Sequence, residues 1–233
     1  MNAASYFVAG TDTEIGKTRV TAALLAAGRA AGLKVFGMKP IATGAEPVRG
    51  ALSSADALQL AAASGQSIPY EELNPYCLEV PISPHIAARL AKIEIDTTKI
   101  VAISHRLRTQ CDLLLIEGTG GWYTPISDRE SMADLARALH VPVLLVVGLK
   151  LGCLNHARLT LEAIRRAGCS FAGWIGNHID PEFRVPAENL ATLRALLGAE
   201  PLALLRHAKS TDGDAAQLRD ALLRLCAREA QIT

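Results

Sequence analysis

Residues 6–18 read Tyr6-Phe7-Val8-Ala9-Gly10-Thr11-Asp12-Thr13-Glu14-Ile15-Gly16-Lys17-Thr18. An apolar run leads into a glycine-bounded loop that closes on Gly16-Lys17-Thr18, and helix formers follow over 20–31. Glycine lets the main chain turn and bring its N–H groups to phosphate oxygens. The lysine places a charge near the β- and γ-phosphates, and the threonine hydroxyl ligates Mg²⁺. The helix that begins there points its positive end at the same anion. This is the make-up of a P-loop, the phosphate-binding loop of nucleoside triphosphate proteins. The usual pattern has glycine five residues before Gly16; here that position is Thr11, and Gly10 lies one residue earlier. Read as a bare tripeptide, Gly-Lys-Thr is equally an ordinary strand-to-helix turn with an exposed lysine.

The chain has 233 residues, enough to bury a core as a single P-loop α/β domain spanning 1–233. Half its residues are hydrophobic (50%) but only 4% are aromatic, so the core is expected to be mainly Ala, Leu, Val and Ile. The formal charge is +1. A nucleic-acid binder carries a basic excess or stripe; neither is visible, so the expected polyanion is small. Residues 1–5 lack the basic start and apolar stretch of a signal peptide. The apolar segment 141–149 is too short to span a bilayer. A cytoplasmic protein without a membrane partner is expected. The five cysteines are an odd number without a Cys-x-x-Cys pair, which suits small buried hydrophobes or thiols, not disulfides or a metal site.

Short apolar runs recur at 6–9, 35–38, 113–116, 143–147, 171–175 and 202–205. They are continuous, not alternating, as in strands buried on both faces of a parallel sheet. Leu154, Ala157, Leu161 and Ile164 repeat at helical spacing, and Gly168 is placed to end that helix. A terminal helix is expected over 215–227. Strand alternating with helix predicts an α/β fold, a doubly wound, mostly parallel sheet flanked by helices. Between about 40 and 105, Pro40, Pro47, Pro69, Pro75, Pro81 and Pro84 break the pattern, which predicts an irregular insertion between two core strands.

Ligands of such sheets collect at the carboxyl ends of the strands. Lys39-Pro40 lies just past the second run, with Thr43-Gly44 on the same loop. Proline holds the lysine in extended conformation, although a lysine there reads equally as a solvated surface charge. Asp56 stands at a plausible helix start, where capping or an acidic first turn is the favoured local reading. Glu117 ends 113–116 against Gly118-Thr119-Gly120-Gly121. A hydrated Mg²⁺ needs hard oxygen ligands besides phosphate; Thr18, Asp56 and Glu117 supply them if the fold brings them together. Asn177 ends another strand, where its amide either reads a purine edge or simply sits in a turn. Gly152-Cys153-Leu154-Asn155-His156 opens the clearest helix, whose first N–H groups either hold a carboxylate or are capped by Asn155.

With Gly10 to Thr18, these segments resemble the dethiobiotin synthetase family, in the family's order and over roughly residues 6–178: Gly37-Met38-Lys39-Pro40, Ser83-Pro84-His85, Glu117-Gly118-Thr119-Gly120-Gly121-Trp122, the stretch 147–156, and Gly173-Trp174-Ile175-Gly176-Asn177. The resemblance implies a P-loop NTPase-type fold and an ATP- and Mg²⁺-dependent ligase. In the family, 7,8-diaminononanoate takes up CO₂ as a carbamate, the carbamate is phosphorylated by ATP, and the neighbouring amine closes the ureido ring. Carried over to this chain, Lys17 and Lys39 are the catalytic cations, and Thr18, Asp56 and Glu117 hold Mg²⁺. The loop Glu14-Ile15-Gly16-Lys17-Thr18-Arg19 wraps the phosphates. Asp56, Glu117, Gly118, Thr119, Gly120, Asn177 and His178 complete the ATP site, with Asn177 toward adenine. Thr13, Lys39 and Thr43 contact the diamine or its carbamate, and Cys153, Leu154 and Asn155 of a neighbouring subunit receive its far carboxylate. A homodimer is therefore implied.

The chain departs from the family where the base binds. His178 replaces an acidic residue, and 202–209 lacks the glycine and proline of the base-contacting loop, so the sequence leaves the nucleotide preference open. The nearest alternative is a P-loop ATPase switch that positions a partner protein or membrane. Such proteins carry a second lysine where this chain has Asp12. A cobalamin-type amidoligase would need a larger chain.

Overall fold

A computed structural model describes residues 3–48, 50–207 and 213–229. The chain begins with β1 (Ala4–Gly10), α1 (Lys17–Ala30) and β2 (Val35–Met38). An irregular stretch follows, with β3 (Ile41–Ala42), β4 (Glu46–Val48), β5 (Ala51–Ser53), α2 (Ala55–Ser64) and α3 (Tyr70–Leu73). It continues through β6 (Tyr76–Cys77), α4 (Pro84–Ala91) and α5 (Thr97–Arg108). The alternation then becomes regular: β7 (Leu113–Glu117), α6 (Met132–Leu139), β8 (Val143–Leu149), α7 (Cys153–Arg166) and β9 (Phe171–His178). It ends in α8 (Pro186–Leu197), β10 (Ala203–Leu205) and α9 (Asp214–Glu229).

Six strands form one sheet in the order β10-β9-β8-β1-β7-β2, each neighbouring pair parallel. The continuous apolar runs explain why. Phe7, Leu114, Ile116, Leu145 and Val147 face one way and pack with α5, α6, α7 and α8. Their sequence neighbours Tyr6, Val8, Leu113, Leu115, Leu144 and Val146 face the other way, toward α1, α2 and α9. A strand with helices on both faces has no solvent side on which to place a polar residue. Gly168, at φ 72, follows the end of α7 as expected.

The stretch between β2 and β7 holds more structure than the prolines suggest. β3 pairs with β6 in parallel and β4 with β5 in antiparallel fashion, as two small sheets beside the main one. Between them α2 starts at Ser54, whose hydroxyl accepts from the Ala57 N–H at 3.5 Å. Because Ser54 fills the cap, Asp56 in the first turn is left to face the main sheet's strand ends.

Candidate active site

The loop after β1 holds its shape through glycine. Gly16, the residue before α1, has φ 79, and a Cβ there would lie 2.1 Å from Asn177 Nδ2. Gly10 explains the displaced first glycine: a Cβ on it would come within 2.8 Å of the Lys17 side chain, which lies across it. Lys17 Nζ donates to the Asp12 carbonyl at 2.8 Å, and Glu14 adopts a left-handed φ of 54. Such a loop curls its main-chain N–H groups inward around an anion.

Beside it lies a cavity of about 440 Å³ lined by Thr13, Glu14, Gly16, Lys17, Thr18, Lys39, Thr43, Asp56, Glu117, Thr119 and Gly120. These residues come from the loop after β1 and the start of α1, from the segments after β2 and β3, from the first turn of α2, and from the end of β7 and the loop beyond it, segments far apart in the chain. Lys39 is 3% exposed, and its Nζ stands 2.7 Å from both Asp56 Oδ2 and Glu117 Oε1. The Thr18 hydroxyl donates to the same Glu117 oxygen at 2.7 Å. Thr119, on the loop after β7, donates its hydroxyl to the Ile41 carbonyl.

The charges are unequal in their comfort. Burial alone would pull the Lys39 ammonium down, but Glu117 and Asp56 outweigh it and raise its pKa above the ordinary lysine value. Burial would raise Asp56, and Lys39 outweighs that too, leaving the carboxyl below its usual range. Lys17 is different: desolvation, then repulsion from Lys39, bring it down to about 8 despite Glu117 and Asp56. A buried ammonium held this way is stabilised by an incoming anion. Glu117 is fully buried, and its second oxygen, Oε2, has no hydrogen-bond partner. An unsatisfied buried carboxylate oxygen beside a threonine hydroxyl fits a hard divalent cation. Among the described residues no cluster of three or more His, Cys, Asp or Glu side chains is arranged for a metal. Two carboxylates and a hydroxyl could hold an ion whose other ligands are phosphate oxygens and water.

Other expected site residues lie outside this cavity. The Ile15 side chain is in the core against Gly148, and Gly118 packs closely on Phe7. Arg19 turns away toward α9. Asn177 is 1% exposed, its Nδ2 bonded to the Ile15 carbonyl at 2.9 Å and its Oδ1 accepting from Arg19 at 3.1 Å. His178 follows it, edge-on to Phe183, with Nδ1 buried and without a hydrogen-bond partner. Cys153, Leu154 and Asn155 form the first turn of α7. Capping by Asn155 does not occur: the cap is Gly152, at φ 93, with no side-chain hydrogen bond. Of the segment 202–209, Ala208 and Lys209 lie outside the described residues.

Sequence reasoning passed over Asn74 and Lys150. Asn74 is buried, and its amide donates to the Lys39 carbonyl at 2.7 Å and the Tyr76 carbonyl at 3.3 Å, fixing the backbone that aims Lys39. An asparagine before Pro75 carries no local sign of this. Lys150 reaches Asp12 at 3.4 Å, but both are more than a third exposed, so the pair adds little.

A doubly wound parallel sheet with this loop at the end of an inner strand, and cations and carboxylates gathered on its β7–β2 side, defines a P-loop nucleoside triphosphate protein. A family model described as an AAA domain matches residues 4–214. The ATP-dependent dethiobiotin synthetase BioD of Aromatoleum aromaticum is 49% identical over 208 residues, 89% of this chain and 92% of that protein. The enzyme of the same name from Cellvibrio japonicus is 41% identical over 216 residues, 93% of this chain and 95% of its own length. Among solved structures, the cell division ATPase MinD of Pyrococcus furiosus superposes with a TM-score of 0.58 at 15% identity, covering 100% of both chains. That likeness is one of fold alone. The chain belongs to the dethiobiotin synthetase family.

Proposed function

We propose that this chain uses ATP to close the ureido ring of dethiobiotin on 7,8-diaminononanoate and CO₂. The substrate first carries a carbamate on one amine. A carbamate oxygen attacks the γ-phosphorus, the bond to the β-phosphate oxygen breaks, and ADP leaves. The neighbouring amine then attacks the carbonyl carbon of the carbamic–phosphoric anhydride; the C–O bond breaks, phosphate departs with its electron pair, and the amine loses a proton. The obstacle is charge, because a carbamate must approach a triphosphate. Positioning and electrostatic stabilisation therefore carry most of the acceleration. Lys17 and Lys39 supply the positive charge at the transferring phosphoryl group. The main chain of 14–19 and of 118–120 holds the phosphates, while Thr13 and Thr43, which line the same cavity, contact the diamine or its carbamate.

Mg²⁺ would be held by Thr18, Asp56 and Glu117, and when bound it offsets phosphate charge. The orphaned Glu117 Oε2 supports this assignment. A Glu117→Gln protein with an unchanged Mg²⁺ titration would remove that residue from the set. The nucleoside runs along the ends of β9 and β10, past Asn177 and His178. The substrate's far carboxylate meets the uncapped first turn of α7 in a second copy of the chain, so the working unit is a homodimer. We place the reaction in the cytoplasm; among the described residues no helix is long and apolar enough to cross a membrane.

The observation that carries the reading is the single cavity in which Lys17 and the doubly paired Lys39 face the same phosphate loop. Its test is incubation with diaminononanoate, isotopically labelled bicarbonate, ATP and Mg²⁺. Labelled dethiobiotin is expected by mass. ATP hydrolysis without that product would favour a nucleotide switch, a reading that Asp12 in the place of a second lysine already disfavours.

A further inference from the structure

Arg19 follows the phosphate loop immediately, yet its side chain takes no part in lining the phosphate cavity. Its Nε and Nη2 fork onto Asp214 at 2.6 and 2.8 Å. Nη1 donates to Asn177 Oδ1 at 3.1 Å, and Nη2 donates also to the Arg206 carbonyl at 3.1 Å. Asp214, the first residue of α9, is 2% exposed. Asn177 extends the chain of contacts to the loop itself through the Ile15 carbonyl. With a guanidinium on one side and a carbonyl on the other, only this orientation of the amide pairs donors with acceptors. One guanidinium thus joins the loop, the end of β9, the residue after β10 and the start of α9.

The sheet order says which part of a nucleotide these groups face. Lys39 and Glu117 follow β2 and end β7, on one side of β1; β9 and β10 lie on the other. A triphosphate with its γ-phosphoryl at Lys39 and Lys17 extends its nucleoside toward β9 and β10. We infer that the Arg19 side chain is a positioning group for the nucleoside: through Asp214 and Asn177 it fixes the wall against which the base and ribose are held, while only the main chain at this position faces the phosphates. This rests on the reading of loop 10–18 as a triphosphate site. A buried ion pair adds little net stability, because desolvation cancels most of its attraction. What the fork supplies is geometry, which the point charge of a lysine cannot reproduce.

The experiment measures dissociation constants of ATP and of inorganic triphosphate, both with Mg²⁺, for the wild type, Arg19→Lys and Asp214→Asn. In both variants ATP should weaken by roughly tenfold, the worth of one hydrogen bond to a charged group, with triphosphate changed by less than about twofold. In the ring-closing assay the loss should fall on KM for ATP more than on kcat. Equal weakening of both ligands, no change in either, or failure of both variants to fold would overturn the inference, since Arg19 would then serve the fold or the phosphates. If the wild type makes no dethiobiotin but keeps an Arg19-dependent preference for ATP over triphosphate, the ligase reading falls and this one stands.

Discussion

Lys17 is buried beside a second ammonium, and its Nζ donates to a main-chain carbonyl. Its pKa of about 8 in the free protein, set first by desolvation and then by Lys39, gives a pH dependence with a definite sign. A bound triphosphate favours the ammonium, so binding raises this pKa and draws in a proton wherever free Lys17 has lost one. ATP affinity should therefore fall as pH rises through about 8, with proton uptake on binding above that point. Calorimetry in buffers of different ionisation enthalpy reads the uptake, and a Lys17→Arg protein should lose it; uptake persisting in that variant would assign the proton elsewhere. Lys39 has the opposite character, clamped in its charged form by Glu117 and Asp56. Lys17→Ala and Lys39→Ala should each lower turnover roughly 10²–10³-fold, as for loss of one preorganised charge-stabilising group. Turnover like the wild type in either would take that lysine out of the mechanism.

At the scale of elements, the proposal puts the substrate's carboxylate at the first turn of α7. Gly152 brings the chain in with a left-handed turn and leaves the turn without a side-chain cap. Leu154→Pro removes one N–H at a position where proline fits a helix. It should raise KM for the diamine roughly tenfold, the worth of a hydrogen bond to a carboxylate, and leave KM for ATP unchanged. Equal KM values for the diamine would move the carboxylate site away from α7. The strands of the main sheet were legible because burial on both faces writes continuous apolar runs, as at 143–147. The pairs β3–β6 and β4–β5 were not, since strands of two or three residues have no period to read. Asp56 reads locally as a cap or an acidic first turn; Ser54 holds the cap and Asp56 does stand in the first turn, but nothing local shows that it also reaches Lys39. The Arg19–Asp214 contact spans 195 residues and leaves no local trace. Cations and carboxylates at strand ends were readable because the sheet's ligand rule gives their direction in advance.

For the whole molecule, the proposal places the site between two copies, with the phosphates on one and the substrate's carboxylate on α7 of the other. That arrangement has a consequence for mixed dimers. A Lys39→Ala protomer paired with a Leu154→Pro protomer contains one site with neither defect, so mixing two weakened proteins should restore activity. If each site were complete within one chain, the mixture would be no better than the average of its parts, and the shared site would have to be abandoned.

The fate of one oxygen tests the central claim that buried lysines bring a carbamate onto the γ-phosphoryl group of ATP. In a single turnover with oxygen-labelled bicarbonate, run before the label exchanges with water, the attacking carbamate oxygen stays with phosphorus when the amine expels phosphate. The account predicts that released phosphate carries one labelled oxygen for each dethiobiotin formed. Phosphate whose new oxygen comes from water instead would contradict it.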